Sequence, residues 1–501
     1  MINLSSILKH KKNIAWIFGV FLLLELISFL SFYFVNINLI IFTIIVILAI
    51  ILAFYKLEWC FYLVLGELLF NSMGYIFFLE NGGFKISLRI ALWSIIMFAW
   101  GVKFLKELIK NRQALLEKYL RMPYLKYFLI LILFIIFSLI YGIIKNNFSD
   151  AFFDFNAWLY FLLIFPLWHI LSFLRDDKQK VFYQNIASIF ISAVLFLVFK
   201  SLLLLFLFSH NVSFILDLYH WTRDYRLGEI TAMGSGFYRV FLQSQIFTLL
   251  AWIIFLPILN NIQNKKNIFW LLAFLSLLGS TIILSFSRSF WVAGFLSFII
   301  MLFFLWMKDN FKIMVRTAFL ALSSLLIGFA LIFLVIKFPW PDPMANFDLS
   351  LISERAKIIK SDEAAVSSRW ALLEVMKKDL SANFILGRGF GARLEYQSSD
   401  PRVLENSADG VYSTYAFEWG WFDIWLKLGI LGVFSYILLL YFFLRDASQK
   451  AFKNNDYWYL GLGLGIISLM AVNFFTPYLN HPLGIGFVVF IFLLFGLRNN
   501  K

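Results

Sequence analysis

Long runs of apolar residues, separated by short polar turns, fill most of this chain. A helix needs about 20 such residues to cross the hydrocarbon core of a bilayer, so the pattern predicts about 14 transmembrane helices. Their approximate limits are 13–35, 37–55, 59–80, 87–105, 127–144, 153–174, 185–208, 240–258, 268–286, 289–306, 314–337, 422–443, 457–476 and 483–497. Two pairs of neighbouring predicted helices are separated by very few polar residues. The first pair is separated by the turn at Asn36–Asn38, and the second by the lone Arg288 between two apolar runs.

One long polar segment, from about Phe338 to Trp421, interrupts this pattern. Three prolines end the helix before it: Pro339, Pro341 and Pro343. Residues about 350–361 and 363–380 are predicted amphipathic helices, and a glycine-rich turn follows at 387–391. The expected fold class is therefore all-α: a polytopic membrane protein with one large extracytoplasmic loop that contains amphipathic helices.

The predicted organisation is one integrated membrane domain in three parts. An N-terminal transmembrane helix bundle covers 1–337, the large loop covers 338–421, and C-terminal transmembrane helices cover 422–501.

Composition excludes a soluble protein. Of 501 residues, 62% are hydrophobic and 14% charged, and the mean hydropathy is +0.84; no soluble domain could bury so much apolar surface. A single cysteine, Cys60, excludes an internal disulfide, and the five histidines lack metal-ligand spacing. We therefore expect no metal and no cofactor.

The net charge of +14 reflects topology rather than nucleic-acid binding, because most lysines lie in short loops between apolar runs. Basic residues are concentrated in alternate loops and before the first span, which predicts cytoplasmic termini. The polar segment and the loop 209–239 then face outward. Basic residues that support this orientation include Lys9, Lys11, Lys12, Lys103, Lys106, Lys110, Arg175, Lys178, Lys265, Lys266, Lys308, Lys312, Arg445 and Lys450.

Four arginines would face outward against this bias: Arg223, Arg226, Arg239 and Arg288. Guanidinium groups bind phosphate oxygens through bidentate, charge-assisted bonds, so a pair could clamp a diphosphate at the membrane surface. The alternative is that they contact lipid headgroups or pair with nearby carboxylates, Asp224 and Glu229 among them.

The polar segment carries two further candidates. Gly387, Gly389 and Gly391 permit positive φ and close backbone approach, although an ordinary loop turn has the same composition. Glu418 lies just before the re-entering span, where a carboxylate could act as a general base. The alternative is that Glu418, like Asp423, is an ordinary carboxylate at the membrane interface. Trp419, Trp421 and Trp425 would then be the tryptophans of that interface.

Three stretches, in this order, resemble the bacterial O-antigen ligase and O-antigen polymerase superfamily. They are "ILSFSRSFWVAGFLSFII", "SSRWALLEVMKKDLSANFILGRGFG" and the segment from Glu418 through "KLGILG", where Gly429 and Gly432 fit the family's Gly-x-x-Gly spacing. The resemblance covers roughly residues 220–445. Glu418 stands where the ligases have a histidine.

The resemblance implies a metal-independent membrane glycosyltransferase of the C type. Its donor would be an oligosaccharide linked to polyprenyl (undecaprenyl) diphosphate on the periplasmic face. Arg239 and Arg288 would match the family's diphosphate-binding arginines, and Arg369 and Arg388 would position the loop or the glycan. Arg223 and Arg226 stay further candidates for binding the diphosphate or the glycan. Arginines would then stabilise the leaving diphosphate as a metal does elsewhere.

The leading hypothesis is a polymerase of oligosaccharide repeat units in the bacterial inner membrane. Its partners would be the lipid-linked oligosaccharide, a glycan or lipid A-core acceptor, membrane lipids and a chain-length regulator, with no nucleic acid. The first alternative is a ligase that transfers finished glycan to lipid A-core or to a protein. The second is a flippase or transporter of the same lipid-linked sugars.

Overall fold

The computed structural model of the chain describes residues 11–82, 84–234, 236–345, 364–398, 401–405, 407, 409–453 and 456–496. Its α-helices are α1 (Lys11–Tyr33), α2 (Val35–Tyr55), α3 (Leu57–Phe70), α4 (Leu88–Lys110), α5 (Arg112–Leu120), α6 (Leu125–Lys145), α7 (Phe148–Phe155), α8 (Ile164–Phe173), α9 (Asp176–Ser209), α10 (Ile215–Asp224), α11 (Ile246–Phe255), α12 (Lys265–Leu284), α13 (Arg288–Lys308), α14 (Phe311–Ile336), α15 (Ala364–Ala382), α16 (Pro401–Leu404), α17 (Gly420–Lys453), α18 (Tyr457–Val472) and α19 (Pro482–Gly496).

Three short antiparallel hairpins accompany the helices. They pair β1 (Phe78–Asn81) with β2 (Phe84–Ser87), β3 (Glu229–Gly234) with β4 (Phe237–Phe241), and β5 (Leu394–Gln397) with β6 (Val411–Thr414).

Eleven helical segments within the described residues are long and apolar enough to cross a membrane, and α18 and α19 are shorter apolar helices. A helix satisfies its backbone hydrogen bonds internally, which suits it to a bilayer where no water can do so. This confirms the predicted class, an all-α polytopic membrane protein.

Three details differ from the expectations. The apolar run 59–80 is not one span, because α3 ends at Phe70 and the chain turns through Gly74, whose φ is 89°, into β1. The first two helices separate at Phe34 rather than at Asn36–Asn38. The amphipathic helix predicted at 350–361 lies outside the described residues, while the one predicted at 363–380 is α15.

The chain forms two compact units. The first comprises Met1–Arg121, Leu162–Ser287 and Leu302–Asp348. Within it the 34-residue α9 packs against α1 and α3, and α12 packs against α14. The last two approach closely at Gly328, where a Cβ would lie 2.7 Å from the Ser276 carbonyl oxygen.

The second unit comprises Met122–Phe161, Arg288–Met301 and Leu349–Lys501. Its longest helix, α17, packs against α6 and α18, and α15 packs against β5. A small hydrophobic core joins α15 to the hairpin and to α17, consisting of Leu372, Met376, Leu380, Leu394, Phe417 and Leu426. The predicted division of the chain at residues 338 and 422 stays a prediction.

Candidate functional site

A polar site in the second unit is built on a break in α17. Gly429, inside this helix, has φ 70° and ψ 174°, so the regular hydrogen-bond ladder is interrupted there. In a membrane-spanning helix the freed backbone groups need other partners inside the protein, because the hydrocarbon offers none.

The glycine turn of the polar segment supplies those partners. The Arg388 N–H donates to the Leu426 carbonyl oxygen at 2.6 Å, and the Gly389 N–H donates to that of Lys427 at 3.2 Å. In return, the Ile430 N–H donates to the Phe384 carbonyl oxygen at 3.1 Å. Residues 384–389, which lead into and include part of the turn, therefore complete the broken helix, and the two segments satisfy backbone groups of each other.

This fit requires glycine at its closest points. Gly387, Gly389 and Gly391 have φ of 68°, 77° and 77°. A Cβ on Gly389 would lie 2.6 Å from the backbone nitrogen of Gly142 on α6, and one on Gly429 would lie 2.0 Å from the Ile385 carbonyl oxygen. Gly432 follows three residues after the break, where a Cβ would meet the Leu428 Cβ at 2.3 Å.

Phe390, between Gly389 and Gly391 in the turn, is fully buried. Its ring lies 5.6 Å from that of Phe155 and 5.8 Å from that of Trp158, measured between centroids. The Asn146 side chain donates to the carbonyl oxygens of Arg388 and Phe390 at 3.1 and 2.8 Å. The turn is thus anchored by an aromatic side chain as well as by its backbone.

A buried charged cluster lies against the same turn, and we call Asp154, Lys427 and Asp423 the acidic–lysine cluster. The Lys427 Nζ lies 2.5 Å from an Asp154 oxygen and 2.6 Å from an Asp423 oxygen. The three side chains are at most 7% exposed. The Gly391 N–H donates to Asp154 at 2.9 Å, and the Asn480 amide donates to Asp423. Lys427 thus ties α17 to α7, and Asp154 ties α7 to the glycine turn, in a setting where unpaired charge would be costly.

A second ion pair continues this arrangement toward the surface. Arg393 binds Asp150 in a bidentate manner, with nitrogen–oxygen distances of 2.6 and 2.9 Å. The hydrogen bond to Asp150 raises the pKa of Arg393. The guanidinium carbon lies 5.6 Å from the Tyr415 ring centroid. Burial, followed by the charges of Asp154 and Asp150, raises the pKa of the Tyr415 phenol, which favours its protonated form.

Two of the predicted site residues meet at the start of α17. Arg369 on α15 forms an ion pair with Glu418, and both side chains are about half exposed, at 47% and 52%. The Trp419 Nε1–H donates to the Arg369 carbonyl oxygen at 3.0 Å. Arg388 instead pairs with Asp379, at 3.1 Å between Nη1 and a carboxylate oxygen.

The other predicted arginines lie in two places. In the first unit, Arg239 on β4 donates through Nε to the Ser285 carbonyl oxygen at 2.7 Å. Arg226 has φ 52° and stacks 5.0 Å from the Tyr75 ring centroid, and Arg223 lies 3.8 Å from Asp224. In the second unit, Arg288 is the first residue of α13 and is partly buried.

Sequence reasoning missed five residues of this site: Asp150, Asp154, Arg393, Lys427 and Asn480. The i,i+4 spacing of Asp423 and Lys427 in an apolar helix was a usable signal, since such residues face one another. In the described parts of the chain, no group of three or more His, Cys, Asp and Glu side chains is placed to hold a metal ion.

A family model described as O-antigen ligase matches residues 271–437. The matched range includes Arg288, Glu418 and the glycine turn, and it begins after Arg239. No curated protein and no solved structure matched the chain. The match supports a membrane enzyme of the ligase or polymerase type that acts on lipid-linked glycans. Residues 271–437 thus match the O-antigen ligase family model, which is consistent with the O-antigen ligase and polymerase superfamily that the motifs predicted.

Proposed function

We propose that this protein is a membrane glycosyltransferase that polymerises oligosaccharide repeat units. The donor is an oligosaccharide on polyprenyl diphosphate, and the reaction takes place on the periplasmic face of the bacterial inner membrane. The observation that carries the proposal is the O-antigen ligase match over residues 271–437, the range that contains the glycine turn and Glu418. No metal takes part.

In the proposed reaction, a hydroxyl oxygen of the acceptor sugar attacks the anomeric carbon of the donor. The Glu418 carboxylate accepts the hydroxyl proton, and the bond from the anomeric carbon to the diphosphate oxygen breaks. Polyprenyl diphosphate leaves with the bonding electron pair. The resemblance assigns diphosphate binding to Arg239 and Arg288, and both assignments stay predictions.

The Arg369–Glu418 ion pair is compatible with this role for Glu418. The guanidinium holds the carboxylate in one place at the entrance to α17, and half of each side chain stays accessible. Positioned groups of this kind contribute to rate because they need little reorganisation during the reaction.

The ligase remains the second candidate, because the matching family model is described as an O-antigen ligase. Gel analysis of surface polysaccharide from a deletion strain separates the two. A strain without a polymerase accumulates single repeat units, whereas a strain without a ligase keeps full-length polymer on the lipid carrier. Accumulation of repeat units on the cytoplasmic side would instead indicate a flippase, and an unchanged ladder would refute all three.

Point variants test the assigned residues. Glu418→Gln keeps the shape of the side chain but removes the base, so we expect roughly a hundredfold loss of polymer synthesis. Arg288→Lys keeps the charge but loses the planar fork, so we expect a strong loss there as well. Full activity of either variant would exclude the role assigned to that residue.

A further inference from the structure

An exposed aromatic surface lies beside the Arg369–Glu418 ion pair, and it consists of Trp370, Trp419 and Phe475. The Trp419 ring is central, with its centroid 5.8 Å from that of Trp370 and 5.9 Å from that of Phe475. Trp370 is 49% exposed and Phe475 is 40% exposed. Trp419 itself is partly buried, so Trp370 and Phe475 provide most of the exposed aromatic area next to the charged pair.

The indole of Trp419 is held by a hydrogen bond within the protein. Its Nε1–H donates to the Arg369 carbonyl oxygen at 3.0 Å. The neighbouring indoles of Trp421 and Trp425 also donate inward, to the carbonyl oxygens of Met470 and Phe384, both at 3.0 Å. A tryptophan that anchors a protein at the membrane interface keeps its polar end in the wet headgroup layer. Here the polar ends are used internally, so the rings are fixed.

The rim of this surface carries the complementary polar groups. Arg369 offers N–H donors and Glu418 offers carboxylate acceptors, and each side chain is about half exposed. A pyranose ring has an apolar face of C–H groups and an edge of hydroxyl groups that both donate and accept. An aromatic face bordered by a guanidinium and a carboxylate matches both features.

We propose that the aromatic surface binds a pyranose ring of the growing glycan by stacking, while Arg369 and Glu418 bind the hydroxyl groups at its edge. The proposal rests on the proposed function, because it gives the acceptor glycan a sugar subsite next to the residue assigned as the base. A polymerase that holds its glycan here retains it for further additions, so the surface would influence chain length.

The test uses chromosomal variants in the native strain, with the surface polysaccharide separated on a gel and the membrane protein quantified by immunoblot. We expect Trp370→Ala and Phe475→Ala each to shift the ladder maximum toward fewer repeat units at normal protein amounts. Trp370→Tyr keeps a stacking face and should give a nearly normal ladder. Trp340→Ala is the matched control, since Trp340 is an exposed tryptophan at the start of the same polar segment and should leave the ladder unchanged.

The outcomes separate the two proposals. An unchanged ladder in the deletion strain refutes the proposed function itself. If the deletion alters the ladder while Trp370→Ala and Phe475→Ala leave chain length normal, only the sugar subsite is refuted. A uniform loss of yield at normal protein amounts, without a change in length, would indicate an anchor in the lipid headgroups and also refutes the subsite. If one alanine variant accumulates poorly, the other and Trp370→Tyr still decide.

Discussion

Both units bury charged side chains, but they combine them differently. In the first unit Glu67 and Arg89 form a one-to-one pair, and Arg89 also donates to the carbonyl oxygens of Asn71 and Ser72 at 2.8 and 2.9 Å. In the second unit two carboxylates, Asp154 and Asp423, share the single ammonium of Lys427.

The difference shows what each arrangement does. The Glu67–Arg89 pair closes a local connection, since its partners are 22 residues apart. The acidic–lysine cluster joins Asp154 to a helix 273 residues later and, through the Gly391 N–H, to the glycine turn. The Glu67–Arg89 pair stabilises a local part of the first unit, whereas the acidic–lysine cluster fixes a distant loop on the membrane helices.

The largest effect should come from Lys427→Met, because it leaves two buried carboxylates without their cation. We expect a loss of about 3–5 kcal/mol in unfolding free energy. Thermal unfolding of the purified protein in detergent measures it, with Lys377→Met on the exposed face of α15 as the control. Equal unfolding temperatures for the two variants would mean that the cluster does not hold the unit together.

A smaller loss should follow from Gly389→Ala, in which the new Cβ would meet the Gly142 backbone. Left-handed φ and the close contact together should cost about 2–4 kcal/mol. Gly82→Ala in the first unit is the matched control, with φ 57° and nothing within 4 Å of the added Cβ. The unfolding free energy of that control should fall by only about 1–2 kcal/mol. Identical losses would show that backbone conformation, and not the close contact with Gly142 on α6, decides the effect.

Glu67→Gln tests the one-to-one pair of the first unit. Arg89 keeps its two carbonyl acceptors, and the amide oxygen of glutamine can still accept a hydrogen bond. We therefore expect the unfolding free energy to fall by about 1–3 kcal/mol. The same detergent unfolding measures it. If Glu67→Gln lowered the unfolding free energy more than Lys427→Met does, the one-to-one pair would contribute more to stability than the acidic–lysine cluster.

Arg369→Ala should have the smallest effect on stability, no more than about 1 kcal/mol, because the ion pair with Glu418 is exposed. Polymer synthesis should nevertheless fall if the pair positions the proposed base. Unfolding and surface polysaccharide are measured on the same variant. A large drop in unfolding temperature would give the pair a structural role and remove it from the proposed site.

Much of the membrane architecture was predictable, because apolar runs of spanning length report directly on helices. The exception at 59–80 has a local cause: Gly74 and the hairpin after α3 are apolar enough to resemble a span. The site was less predictable. The glycines indicated unusual backbone conformation, but nothing local identified the break at Gly429 as their partner. Asp154 and Lys427 are far apart in sequence, and only the folded chain brings them to 2.5 Å.

The insertion of the glycine turn into α17 also bears on how the protein is made. Residues 384–389, which supply partners for the freed backbone groups, precede Gly420–Lys453 in the chain. Synthesis proceeds from the N-terminus, so the complementary segment already exists when the interrupted helix emerges. The order of the sequence therefore allows the interrupted transmembrane helix to find its backbone hydrogen-bond partners in a segment that has already been synthesised.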